Sequence, residues 1–154
     1  MQMSDVSVRP ARLDEVNLLS DFQVAMALES EGMQLDHATV AHGIASFLAR
    51  PEDGIYYVME CDQQLAGCAM VQHEWSDWRA KNVLWLHSVF VKPEFRKRGC
   101  FRNLYSFLQA RVQSDSNLAG IRLYVDKNNQ KAEAAYRKIG MTDEHYKLFE
   151  WLKT

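Results

Sequence analysis

The sequence is poor in cysteine, and its few thiols are not paired. Only three cysteines occur in 154 residues, and none of them forms a C-x-x-C pair. An odd, widely spaced set argues against a disulfide framework and against a thiolate zinc site. The five histidines show neither H-E-x-x-H nor H-x₃-H spacing, so no metal site is predicted.

Long apolar runs and an excess of one charge are also missing. No stretch approaches the ~20 apolar residues of a membrane span. The opening segment MQMSDVSVRP lacks the basic and then apolar order of a signal peptide. The formal net charge of -2 does not direct the chain toward nucleic acid or a membrane. We therefore expect a cytoplasmic protein with reduced thiols.

What the sequence does contain is a regular alternation of strand and helix patterns. With 47% hydrophobic and 25% charged residues, it has the composition of one globular domain. Strands are predicted over Met3–Arg9, Ile55–Cys61, Leu65–Gln72, Val83–Val91, Ile121–Val125 and Tyr146–Trp151.

Four helices are predicted between these strands. The first begins near Leu13 and is broken at Glu29–Gly32, and the second covers the pattern Val40–Leu48. The third and fourth carry apolar faces at helical spacing, and Gly140 closes the fourth. The order β-α-α-β-β-β-α-β-α-β predicts an α/β or α+β domain with one mixed sheet.

A basic turn with one glycine links the buried strand Val83–Val91 to the third helix. Its residues are Arg96, Lys97, Arg98, Gly99, Cys100, Phe101 and Arg102. Cations at a helix N-terminus oppose the helix dipole by about 0.3–1 kcal/mol each, unless an anion lies there. The unpaired N–H groups of the first turn favour phosphate. A solvated basic turn is the other interpretation, since one glycine is weak evidence.

A second strand–turn–helix segment covers residues 124–141. Asn129 precedes the helix, and Tyr136 lies seven residues later, two turns along the same face. Taken alone, this pattern is also typical of an N-cap followed by a half-buried aromatic side chain.

Together the two segments resemble the GNAT superfamily of N-acetyltransferases. The first is similar to the acetyl-CoA loop Arg/Gln-x-x-Gly-x-Gly/Ala at Arg96 and Gly99, but has Phe101 where the family has a small residue. The second matches Asn-x-x-Ala-x-x-x-Tyr-x-x-x-Gly-Phe/Met at Asn129, Ala132, Tyr136, Gly140 and Met141.

The resemblance implies a single domain over 1–154, with a mixed, mostly antiparallel sheet of six to seven strands and four flanking helices. It implies acetyl-CoA as cofactor, released as CoA. The strand Val89, Phe90 and Val91 would pair with the pantetheine arm, and the basic turn, Asn129, Ala132 and Tyr136 would complete the cofactor site.

The resemblance also implies direct attack of an amine on the thioester in a ternary complex. A backbone N–H near Val89–Val91 would polarise the carbonyl, and Tyr136 would protonate the leaving thiolate. Phenol and thiol pKa values differ by about 1.5 units, which a developing hydrogen bond can offset. A structural or CoA-positioning role for Tyr136 is the alternative.

Three residues are candidates for the base that deprotonates the amine. His87 stands alone in an apolar strand, and its intrinsic pKa suits a base near neutrality. A core histidine bonded to a backbone carbonyl is the alternative. Glu74 and Asp77 could act through water.

The predicted acceptor site is acidic and aromatic. The resemblance places it between the segment with Glu29 and Glu31 and the loop with Glu74, Trp75, Asp77 and Trp78. Indoles beside carboxylates suit a cation, so the hypothesis is a cationic small-molecule or peptide amine, such as a polyamine, an amino sugar or a lysine. A solvated acidic turn and a hairpin packed by its tryptophans is the alternative.

Two other functions compete with catalysis. A non-catalytic acyl-CoA-binding sensor could keep both motifs. A nucleic-acid patch of Arg96, Lys97, Arg98, Arg102 and Arg111 is disfavoured by the acidic net charge and the absence of a recognition-helix pattern. Homodimers through the terminal strands occur in proteins of this type, and no residue here decides the oligomeric state.

Overall fold

The protein, described here from a computed structural model over residues 4–154, contains five strands and four α-helices in these residues. Met3, part of the first predicted strand, lies outside the described residues. The strands are β1 (Val6–Pro10), β2 (Gly54–Cys61), β3 (Gln64–Ser76), β4 (Lys81–Val91) and β5 (Leu118–Arg122). The helices are α1 (Val16–Glu31), α2 (His37–Leu48), α3 (Cys100–Ser114) and α4 (Gln130–Lys138).

The strands form one sheet in the order β1-β2-β3-β4-β5. The first three pairings are antiparallel, and β4 with β5 is parallel. The predicted α+β class with a mixed, mostly antiparallel sheet is therefore confirmed. The predicted strand count of six to seven is wrong for the described residues, because 146–151 form no strand there. An alternating sequence becomes a strand only when a neighbouring backbone pairs with it.

The first predicted helix break is displaced by a few residues. Glu29 and Glu31 belong to α1, and the helix ends at Gly32, whose φ of 64° is left-handed. Exposed glutamates are compatible with a helix, whereas glycine readily adopts the left-handed conformation that ends one.

Two predicted strand boundaries also shift. β3 continues through His73 to Ser76, in a segment predicted to be a loop, because it pairs with β4 along that whole length. β5 begins at Leu118 and ends at Arg122, rather than covering Ile121–Val125. Its start follows from parallel pairing of Leu118 with Asn82.

Two apolar clusters cover the two faces of the sheet. On one face, α3 contributes Leu104 and Leu108, which are fully buried against residues such as Met59 and Leu84. On the other face, α1 and α2 pack on the sheet with Leu19, Phe22, Ile44 and Phe47. The helical faces predicted from the sequence are therefore the buried faces.

The chain divides into residues up to Leu123, which hold the whole sheet, and residues 124–154, which hold α4. Among the described residues, no helix combines the length and the apolar character that crossing a bilayer requires.

Candidate functional site

The turn between β4 and α3 holds an unusual backbone conformation. Lys97 has a φ of 63° and Gly99 a φ of 85°, both left-handed. Asn103 donates from its backbone N–H and from its side-chain amide to the Gly99 carbonyl, each over 2.9 Å. Two hydrogen bonds on one carbonyl fix the position where α3 begins.

The start of α3 has the properties of an anion site. Gly99 is the N-cap residue and has no side chain with which to cap the helix. The N–H groups of the first turn therefore point outward without an intrahelical acceptor. A β-carbon at Gly99 would lie 3.4 Å from the Asn103 amide nitrogen. The N–H groups of the first turn, together with the basic side chains around them, fit a phosphate or pyrophosphate group.

Arg96 braces this turn instead of extending into solvent. Its Nε donates to the Val91 carbonyl over 2.9 Å, and its guanidinium forms a two-point ion pair with Glu29, with one contact of 2.7 Å. Arg96 thus ties the end of β4 and the last turn of α1 to the basic turn. Glu29, predicted to bind the acceptor, has its negative charge offset by this arginine.

The other side chains of the basic turn have different surroundings. Cys100 is buried, and burial raises the pKa of its thiol, so this residue offers its backbone N–H rather than a thiolate. The Phe101 ring stacks on Tyr105, with centroids 6.3 Å apart. The Arg98 guanidinium lies 3.8 Å from the Asp62 carboxylate.

Strand β4 changes its pairing halfway along. It pairs with β5 only from Asn82 to Trp85, and it then continues to Val91. The β3–β4 register also shifts, since Cys68 pairs with Phe90 but Met70 pairs with His87. The extra residue on β4 forms a bulge, and such features often lie beside active sites.

A side chain of α1 holds the bulge in place by a hydrogen bond. Ser88 has a φ of 54°, a strained value for a residue with a β-carbon. The Gln23 amide donates to the Ser88 carbonyl over 3.1 Å and to the Cys68 sulfur over 3.3 Å. Gln23 is buried, with 6% of its surface exposed. A buried amide donor therefore fixes the orientation of the bulged backbone.

A cavity of about 260 Å³ opens beside this bulge. It gathers residues from α1, the α1–α2 linker, α2 and the three central strands. None of its lining residues is acidic or basic. They are Gln23, Leu35, Val40, Gly43, Ile44, Tyr56, Met70 and Ser88.

His87 lies next to the cavity. It pairs directly with Met70, a lining residue, and directly opposed residues share one face of a sheet. Its imidazole stacks on Trp85, with centroids 6.0 Å apart. Burial lowers the pKa of His87 below its ordinary value of 6.5, so the ring is neutral near pH 7.

The remaining predicted acceptor residues lie elsewhere. Glu74 accepts the Trp85 indole N–H and pairs with Arg122 over 3.0 Å. Trp75 and Trp78 are 62% and 87% exposed. At about 3.3 Å per residue, the strand from the β3–β4 turn to Ser88 covers roughly 25 Å.

The two tryptophans and Asp77, which lies in that turn, therefore do not line the cavity at the bulge. Glu31 is exposed at the end of α1. A role for these residues in acceptor binding stays a prediction.

In the second part of the chain, α4 begins at Asn129. The Asn129 side chain accepts the Ala132 N–H over 3.1 Å, so it caps the helix, as the simpler interpretation of the motif predicted. Tyr136 is half-buried, and burial raises the pKa of its phenol. Gly140 is left-handed, with a φ of 91°, and ends the helix as predicted.

The residues that form the cavity were not predicted from the sequence. Gln23 falls four residues after Leu19, on the buried face of α1, and a polar residue there is a usable signal. Gly43 lies inside a helix, where an isolated glycine often has a packing or functional reason. Ser88 follows His87 in an otherwise apolar strand, so two polar residues in succession interrupt the apolar pattern there.

Known proteins share both the sequence pattern and the fold of this chain. The model of the acetyltransferase (GNAT) family matches residues 19–141. A possible acetyltransferase from Clostridium difficile 630 is 33% identical and has a TM-score of 0.90, over 97% of this chain and 98% of its own. No curated protein sequence shows a significant match.

More distant solved structures share the fold. A predicted acetyltransferase with acetyl-CoA from Clostridium acetobutylicum is 16% identical, with a TM-score of 0.70 over 97% of this chain and 96% of its own. The glucosamine-6-phosphate N-acetyltransferase from Arabidopsis thaliana is 14% identical, with a TM-score of 0.69 over 97% of this chain and 99% of its own.

Proposed function

Because the chain belongs to the acetyltransferase (GNAT) family and is an N-acetyltransferase, we propose that it transfers the acetyl group of acetyl-CoA to a primary amine by direct attack in a ternary complex. One observation carries the proposal. The uncapped start of α3 at the left-handed Gly99 offers backbone donors to a pyrophosphate among basic side chains.

Different residues of the chain would bind different parts of acetyl-CoA. The first-turn N–H groups of α3 would hold the pyrophosphate oxygens, and Lys97, Arg98 and Arg102 would add positive charge. Arg96 would stabilise the conformation of the turn through its bonds to the Val91 carbonyl and the Glu29 carboxylate. The part of β4 beyond Trp85, which β5 does not pair, would offer its backbone to the pantetheine arm.

The chemical step requires positioning more than activation, because a thioester is already reactive. The amine nitrogen donates its lone pair to the carbonyl carbon, and the carbon–sulfur bond breaks. A backbone N–H of Val89–Val91 beside the bulge would stabilise the charge that develops on the carbonyl oxygen. The products are the acetamide and free CoA.

Two side chains would move the protons. His87 is neutral near pH 7 because burial lowers its pKa, so it can accept the proton that the attacking amine loses. Tyr136 keeps its proton because burial raises its pKa. In this proposal the phenol gives that proton to the departing sulfur.

Substitution of Tyr136 tests the proposal. Tyr136→Phe removes the proton donor and retains the ring, so kcat should fall by about a hundredfold, whereas KM for acetyl-CoA should change little. Release of the CoA thiol in the presence of a mixture of primary amines provides the measurement.

Tyr105→Phe is the matched control, because it removes a hydroxyl from a buried tyrosine of α3 and keeps the stacking on Phe101. An unchanged kcat in Tyr136→Phe would remove the acid role. Tight acetyl-CoA binding with no thiol release by the wild type would favour an acyl-CoA sensor instead.

A further inference from the structure

We infer that the acceptor is a primary amine whose remaining part is compact, apolar and uncharged, and that the cavity beside Ser88 binds that part. The inference rests on the proposed function and narrows its acceptor. It differs from the cationic acceptor that the acidic residues of the sequence predicted.

The wall of the cavity has no charge to offer a second cation. Its apolar side chains are Leu35, Val40, Ile44 and Met70. Two of its polar side chains contact other groups of the protein. Gln23 donates to the Ser88 carbonyl and to Cys68. Tyr56 is 2% exposed, and its hydroxyl lies 3.9 Å from the Cys68 sulfur.

The cavity is also small. Pockets for drug-sized ligands usually measure about 300–1,000 Å³, whereas this one measures about 260 Å³. A small aliphatic or aromatic group would fill it. A long polyamine or a sugar would have to leave much of its length in solvent.

The cavity lies where the reaction needs the acceptor. Ser88, the bulged residue of β4, forms part of its wall, and His87 pairs with the lining residue Met70. An amine at this end of the cavity would lie between the proposed base and the proposed donor to the carbonyl oxygen.

The carboxylates that could attract a cation lie outside the cavity. Glu29 is paired with Arg96, and Glu74 with Arg122. A second ammonium group in the cavity would therefore lose water without gaining a counter-charge, which is unfavourable.

Two amines of equal length test the inference. In n-hexylamine a methyl group occupies the position of the second ammonium of cadaverine. We expect kcat/KM for n-hexylamine to exceed that for cadaverine by about tenfold or more, because only cadaverine places an unpaired charge in the apolar site. Release of the CoA thiol at saturating acetyl-CoA measures both rates.

Gly43 provides variants that should fold. It lies inside α2, a β-carbon added there would meet no atom within 4 Å, and larger residues favour a helix over glycine. Gly43→Leu should fill the cavity and lower kcat/KM for n-hexylamine about tenfold, with KM for acetyl-CoA unchanged. Gly43→Asp should shift the preference toward cadaverine.

Gly120→Ala is the control, since its added methyl group also meets no atom within 4 Å. Gly120 lies on β5, which pairs with β4 only as far as Trp85 and does not reach Ser88. Equal or greater activity with cadaverine in the wild type would overturn the inference while leaving acetyl transfer intact. Absence of thiol release with every amine would overturn the proposed function and the inference together.

Discussion

At the scale of single residues, the surroundings of His87 determine which proton chemistry is available. The imidazole is half-buried on the Trp85 ring, and loss of water lowers its pKa. A histidine in water is partly protonated just below neutrality. Here the neutral form, which is the form a base requires, persists to lower pH.

The pH profile of activity follows from this lowered pKa. As pH falls, activity should decline with a midpoint below pH 6.5, because burial lowers the pKa of His87 below its ordinary value. His87→Asn should lower the rate by about a hundredfold or more and remove that decline. Initial rates between pH 5 and 8 measure both effects. The same acidic limb in His87→Asn would assign the base to another group.

Residue roles were predictable from the sequence where a local pattern defines them. Asn129 and Gly140 lie at the two ends of α4, where caps have strong residue preferences, and both act as predicted. The pairing of Glu29 with Arg96 was not predictable. These residues are 67 positions apart, and only the packed fold brings them together.

At the scale of elements, the bulge in β4 depends on a helix that is distant in sequence. Ser88 has a left-handed φ of 54°, and Gln23 of α1 donates to its carbonyl. Strained backbone persists only where its surroundings hold it. We therefore expect α1 to set the direction of the β4 N–H groups that are proposed to stabilise the carbonyl oxygen.

Removal of the Gln23 amide tests this dependence. Gln23→Leu retains a side chain of similar size but leaves the Ser88 carbonyl without its amide donor, at a cost of about 1–3 kcal/mol in the free energy of unfolding. We expect kcat to fall while KM for acetyl-CoA changes little. Thermal unfolding and steady-state kinetics on the same preparation measure the two effects.

Ser20→Ala serves as the comparison for that variant. Ser20 is also buried in α1, but its hydroxyl donates within the helix, to the Val16 carbonyl. A smaller change in stability with unchanged kcat is expected, because the Val16 carbonyl keeps its helical N–H donor. If Gln23→Leu behaves in the same way, the bulge does not need the amide.

Elements were predictable where periodicity is strong and local. The apolar faces of α2 and α3 and the β2–β3 hairpin are as the sequence indicated. The boundaries of β3 and β5 and the lack of strand structure over 146–151 were not predictable. Strand ends depend on where a neighbouring strand continues, and a single sequence does not contain that information.

At the scale of the whole molecule, cofactor and acceptor depend on different kinds of structure. The cofactor turn is a contiguous segment from β4 into α3, so a short motif could indicate it. The cavity proposed for the acceptor is lined by residues from separate helices and strands. That difference explains why a short motif could indicate the turn before α3, whereas no local pattern indicated the residues that line the cavity at the bulge.

The central claim, that the start of α3 binds acetyl-CoA through Gly99, is tested most directly by calorimetric titration. Gly99→Val strains a left-handed position and adds a side chain at the N-cap of α3. Gly32→Val strains a left-handed position at the end of α1 in the same way. We predict that the wild type binds one acetyl-CoA per chain, that Gly32→Val binds with similar affinity, and that Gly99→Val raises Kd by about tenfold or more. Equal affinity in Gly99→Val, or no binding by the wild type, would contradict the claim.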